Sequence, residues 1–183
     1  MQRSPAFYLR SAVCTVWFRL HGVRCSAIGC EGRLPVLYPT GTIEIGQRLM
    51  VRGRVAPCEI GAADGARLRI GDRVFINQGA SITATRSIEV GSDTMIGDFT
   101  AIYDSSYHDL DPAHPVTSQP VVIGTNVWLG RGTVVLPGSS IGDHTVVAAQ
   151  SVVRGSLPPS VLAAGNPATV IRQLEVPVGW RRR

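Results

Sequence analysis

The sequence contains no lysine; all 18 of its basic residues are arginine. Against 13 acidic residues they leave a formal charge of +5, which is modest, and they are scattered. They gather only at Arg181, Arg182 and Arg183. No aromatic-rich basic face or base-reading motif accompanies them, which argues against nucleic acid as a partner. Aromatic residues are also scarce, at 6% of the chain, so a core must be built from Val, Ile, Leu and Ala. Cysteine is limited to Cys14, Cys25, Cys30 and Cys58. The lack of any CxxC pair points away from a metal knuckle or disulfide framework, and towards reduced thiols in a cytoplasmic protein. Long apolar runs are missing too. The stretch from Ala6 to Val23 is interrupted by Arg10 and Arg19 and has no small-residue cleavage site, so it should neither span a bilayer nor act as a leader. It reads as a short helix that docks on the domain or rests on a membrane surface.

Glycine is plentiful, at 20 residues in a chain of 183, and its spacing is regular. An aliphatic residue returns at every sixth position through Ile123, Leu129, Val135, Ile141, Val147 and Val153, and earlier through Ile70, Ile76, Ile82 and then Val90, Ile96, Ile102. Gly follows at Gly71, Gly91, Gly97, Gly124, Gly130 and Gly142, with Ala148 in the same place. A six-residue beat is not helical, because a helix needs apolar residues three and four apart and each interior Gly would cost about 1 kcal/mol against Ala. It is not a hairpin meander, which would alternate over longer strands. Short strands joined by corners explain both the inward aliphatic and the glycine beside it, which would permit the corner conformation. Three such faces make one coil of about eighteen residues, and stacked coils bury the aliphatic column. The predicted fold is an all-β, left-handed parallel β-helix.

The breaks in the beat locate the function. Ile82 to Val90 carries a two-residue insertion, and Ile102 to Ile123 a larger one. The expected organisation is a helical docking segment over 1–40, the β-helix over 41–172 with an extruded loop at 104–120, and a tail over 173–183. Pro158-Pro159 is expected to end the helix. A filled prism has no internal pocket, so a site must lie on a surface groove, between prisms of an oligomer.

The extruded loop holds His108, whose imidazole suits proton removal from a hydroxyl near neutral pH. A loop histidine is more often merely solvated, but this one sits at the break. Asp104, Asp109 and Asp111 are each able to orient it. His114 is the rival base, while His144 lies at a corner and His21 carries no motif. Asn77, after an inward Ile76, offers a neutral amide to an acceptor or an oxyanion.

Val122-Ile123-Gly124-Thr125-Asn126-Val127-Trp128-Leu129-Gly130, Val135-Leu136-Pro137-Gly138, Ile141-Gly142-Asp143, Ser151-Val152-Val153 and Ala164-Gly165-Asn166-Pro167-Ala168 together resemble the hexapeptide-repeat O-acetyltransferases. The likeness covers about residues 70–172. It is strongest to the branch of maltose, galactoside and colanic-acid enzymes. The resemblance implies homotrimers with sites between subunits and direct transfer from acetyl-CoA to a sugar or polysaccharide hydroxyl, with no metal. It implies His108 as the base, Asn77 at the acceptor, and the donor along Trp128, Gly130, Arg131, Ala148, Ala149, Arg154 and Arg172; Asp104, beside the loop, is expected at the acceptor as well. Arginines would suit the donor's phosphates. Where the galactoside and maltose enzymes carry acidic residues, this chain reads Thr83-Ala84-Thr85-Arg86, so a different acceptor is expected. Competing readings are an antibiotic or serine acceptor, a zinc hydro-lyase needing three convergent imidazoles, and a non-catalytic binding array.

Overall fold

The computed structural model describes residues 4–182. Each aliphatic residue of the six-residue beat is buried, from Ile70 through Val153. The strands that carry them stack on three faces of a parallel β-solenoid of about six coils. The first face runs through Gly29–Gly32, Met50–Gly53, Phe75–Ile76, Met95–Ile96, Trp128–Leu129, Val146–Val147 and Val161–Gly165. The second runs through Val36–Pro39, Glu59–Ala62, Ser81–Ala84, Ala101–Tyr103, Val134–Val135 and Val152–Val153. The third runs through Thr42–Ile45, Arg67–Ile70, Ser87–Val90, Val121–Ile123, Ser140–Ile141 and Ser156–Leu157. Equivalent positions pair from coil to coil, as Ile76 with Ile96, Ile96 with Leu129 and Leu129 with Val147.

The corner glycines serve a purpose other than the expected one. Gly71, Gly91, Gly97, Gly124, Gly130 and Gly142 have ordinary φ angles, and the left-handed residue lies two positions later. At the corner between third and first faces that residue is Arg48, Arg73, Asp93, Asn126, His144 or Ser160, each with φ between 54° and 63°. The glycines instead let coils touch: a Cβ on Gly91 would lie 2.5 Å from Gly124 C, and one on Gly130 2.5 Å from Ala149 N. Buried Thr94, Thr133 and Thr145 complete these corners by donating to Gly124 O, Gly130 O and Pro158 O.

The N-terminal helix, Pro5–Leu20, is capped by Ser4 and buries Cys14, Thr15 and Phe18 against the first coil. It covers an open strand edge. Thr15 Oγ1 accepts from Ile28 N at 3.0 Å and Ser11 Oγ from Cys30 N at 3.0 Å. The solenoid thus begins at Gly29, earlier than residue 41. At the other end Pro158-Pro159 does not stop it. Strand Val161–Gly165 continues onto the first face, and Ala168–Gln173 turns back antiparallel upon it. Among the described residues no helix is long and apolar enough to cross a membrane, and all four cysteines are free thiols.

Candidate active site

The break in the repeat leaves the corner between the second and third faces as a hairpin-like loop with a fixed neck. Gln119 N donates to Asp104 O at 2.8 Å, Ser105 bridges Ser118, and Ser106 N donates to Thr117 O at 3.3 Å. The carboxylate of Asp104, fully buried, anchors this neck to the coil below. Its Oδ1 accepts from Thr85 N at 2.7 Å and Thr85 Oγ1 at 2.9 Å, and its Oδ2 from Arg86 N at 2.8 Å and Ser87 N at 2.6 Å. The two extra residues between Ile82 and Val90 form the wider corner that receives it. Asp104, expected at the acceptor, is therefore committed to holding the loop, because every lone-pair direction it has faces a protein donor.

Tyr107 turns the chain back, with φ of 60°. Its phenol donates to Thr83 O at 3.4 Å and its ring meets Tyr103 edge-on, with centroids 5.7 Å apart. Burial, and then the nearby Asp104 carboxylate, push this phenol above its ordinary range. His108 follows directly. It is exposed, and its ring makes no hydrogen bond to any described residue. None of the three acids considered as its partner orients it. Asp109 Oδ1 accepts from Val116 N at 2.6 Å, and Asp111 pairs with His114 Nδ1 at 2.8 Å. The His114 hydrogen bond, followed by that from Ala113 N, holds Asp111 below the usual carboxylate range. His114 is thus the partnered imidazole and His108 the free one.

Asn77, Gly97, Gly130 and Ala148 stack at the corner between first and second faces, each donating its N–H to the carbonyl one coil on. Asn77 Oδ1 accepts from Gln78 N at 3.0 Å, while its Nδ2 makes no hydrogen bond to a described residue. Arg131 lies over Phe99, 5.4 Å from the ring centre, and Ala149 is exposed beside it. Arg154 stands at the next corner, on the same edge as the loop, and Arg172 on the returning strand. Neither these two nor Arg131 pairs with a carboxylate among the described residues. Trp128 is exposed on the first face, in register with Met95. The structure therefore gathers Asn77, Gly130, Arg131, Ala148 and Ala149 along one edge. It places His108 and Arg154 along another, with the second face between.

A groove of about 1390 Å³ runs over the first face, lined by Asn77, Met95, Trp128, Trp180 and Arg182 among others. Its far wall is the C-terminal tail, which the sequence showed only as a cluster of charge; Arg183 lies outside the described residues. Asn126 holds that tail like a strand, its Oδ1 accepting from Arg182 N at 2.8 Å and its Nδ2 donating to Trp180 O at 3.2 Å. Nδ2 also donates to His144 Nδ1 at 2.8 Å. Arg73 grips Asp93 with two bonds of 2.7 and 2.9 Å, and Arg181 approaches the same carboxylate at 3.7 Å. The Arg73 guanidinium holds Asp93 below its ordinary range. Asn126, within a repeat motif, gave no hint of this task beyond its left-handed corner position.

Residues 120–155 match the family model described as bacterial transferase hexapeptide (six repeats). A hexapeptide-repeat acetyltransferase of Vibrio cholerae, solved in complex with acetyl coenzyme A, superposes with a TM-score of 0.61 at 33% identity, covering 72% of this chain and 70% of that one. The chain belongs to the hexapeptide-repeat acetyltransferases. Within that family it is 33% identical to the galactoside O-acetyltransferase of Escherichia coli, over 60% of this chain and 56% of the relative. It is 37% identical to WbbJ of the same organism, named for lipopolysaccharide biosynthesis O-acetyl transfer, over 56% of this chain and 58% of the relative. The match thus spans a little over half the length of these two relatives. An N-acyltransferase of Bacillus cereus, at 22% identity and a TM-score of 0.67, shares the fold.

Proposed function

We propose that this protein is an O-acetyltransferase that moves an acetyl group from acetyl-CoA to a hydroxyl of a sugar or polysaccharide-type acceptor, with His108 as general base. The observation that carries the reading is the contrast within the loop. Asp104 spends all its acceptor capacity on fixing the neck, and the imidazole that neck presents has no partner among the described residues. A hydroxyl is a weak nucleophile at neutral pH, and a positioned base contributes about 10²–10⁴-fold. The imidazole takes the hydroxyl proton as the oxygen attacks the thioester carbonyl. The Asn77 amide steadies the charge of the tetrahedral intermediate, and the departing CoA thiolate recovers the proton from the imidazolium. The donor lies over Trp128, Gly130, Arg131, Ala148 and Ala149, where stacked glycines and alanines leave backbone within reach, with Arg154 and Arg172 for its phosphates. Because His108 and Asn77 sit on opposite edges of one face, a complete site brings together the edges of neighbouring protomers, as in a homotrimer.

The test is acetyl-CoA consumption across a panel of sugars and lipid-linked glycans, then repeated with His108→Ala. Turnover should fall by about 10²–10⁴-fold with CoA affinity retained. Full turnover in His108→Ala together with its loss in His114→Ala would assign the base to the wrong ring.

A further inference from the structure

The N-terminal helix is apolar on both sides. With 3.6 residues per turn, the buried stripe of Cys14, Thr15 and Phe18 leaves Leu9, Ala12, Val13, Val16 and Leu20 on the opposite face. Leu9, Val16 and Leu20 are 70%, 54% and 78% exposed. An apolar helix face is normally covered, yet among the described residues this helix is packed where it caps the first coil and its opposite face stays exposed. Its outer face therefore points away from the coils, along the end of the solenoid. Arg10 and Arg19 stand on the two borders of that face, and Trp17 and Tyr8 lie beside them. Arg10 donates to Gly32 O and Arg19 to Cys25 O, and among the described residues neither meets a carboxylate. The sequence carries no Asp or Glu before Glu31, whereas Arg3, Arg10, Arg19 and Arg24 all precede it.

We propose that this outer face docks the protein on an anionic membrane surface, with Leu9, Val13, Val16 and Leu20 inserted and Arg10 and Arg19 at the headgroups. The apolar strip alone would suit another copy of the helix equally well, and the charge decides between them. Two such faces back to back would bring four arginines together with no carboxylate between them, whereas an anionic leaflet neutralises them. Bordering Trp and Tyr rings suit the same boundary, apolar on one side and wet on the other. The helix caps the first coil, whereas the 104–120 loop leaves the fourth, so docking leaves that loop open.

The experiment is co-sedimentation of the full chain with vesicles of phosphatidylcholine alone or mixed with phosphatidylglycerol. The wild type should pellet with the mixed vesicles, stay in solution with neutral ones, and be released by salt. Leu9→Gln/Val16→Gln alters only exposed positions, so its circular dichroism and melting curve should match the wild type. Its partition should weaken by more than about ten-fold, because binding scales with inserted apolar area. Wild-type protein that ignores the anionic vesicles overturns the proposal. In that case a light-scattering mass that falls in the double variant would assign the face to a second copy. Undiminished binding by a folded double variant overturns it as well.

Discussion

Replacing Asp104 tests whether the loop is held as described. Its carboxylate takes three main-chain N–H groups and one hydroxyl from Thr85, Arg86 and Ser87, all within 2.9 Å. Asp104→Ala removes every one of these acceptors. A buried donor left without a partner costs about 1–3 kcal/mol. Arg86 is exposed and Thr85 and Ser87 are half-buried, so water reaches part of the gap and the low end applies. Three N–H groups at about 1 kcal/mol each give a loss of about 3 kcal/mol. For a domain of this length that is a melting-point drop of about 6–12 °C. Asp104→Asn keeps one oxygen but turns an NH2 towards two donors, so it should fall between alanine and wild type. Calorimetry measures the order, and hydrogen exchange should show protection lost across 104–120 in both variants. An Asp104→Ala protein melting within about 1 °C of wild type, with the loop still protected, would refute the anchoring role.

Gly91→Ala should cost about 1–3 kcal/mol by overpacking, because its Cβ would meet the backbone of Gly124 at 2.5 Å; urea denaturation reads the loss. Asp93, depressed by Arg73, contributes stability that is complete above its unfolded pKa of about 3.9 and lost as pH falls through the lower folded value. Urea midpoints stepped from neutral pH to pH 2 should therefore fall less steeply in Asp93→Asn, and an unchanged slope would contradict the pairing. Burial pushes the Cys58 thiol up to about 12 and Cys14 and Cys30 are fully buried. A thiol reagent at mild alkaline pH should therefore label no more than the half-buried Cys25 until the chain unfolds.

The six-residue beat was legible because the inward position of each face admits only an aliphatic side chain, and a period is visible without knowing any contact. The place of the loop was legible for the same reason, as a break in that period. The roles of the acids around it were not. Asp104 differs from Asp109 and Asp111 in burial and in facing three N–H groups, neither of which spacing can express. The start of the solenoid at Gly29 was hidden because the first coils carry four-residue strands and long corners, which blur the beat. The glycines were placed correctly but explained wrongly. The left-handed conformation falls on Arg73, Asp93, Asn126 and His144, and the absent side chain matters for the coil above. The tail was invisible in the same way, since its contacts with Asn126 span more than fifty positions.

The ladder of the first face is terminated at both ends, by the hydroxyls of Ser11 and Thr15 at one and by a strand of opposite direction at the other. A repeat that stacks on itself has no intrinsic length, and either bare rim would template the rim of another molecule. Stoppers of unlike chemistry prevent that pairing and make the number of turns a fixed property of each molecule. Trimming the chain at either terminus should therefore first produce end-to-end filaments of folded protomers rather than unfolded protein.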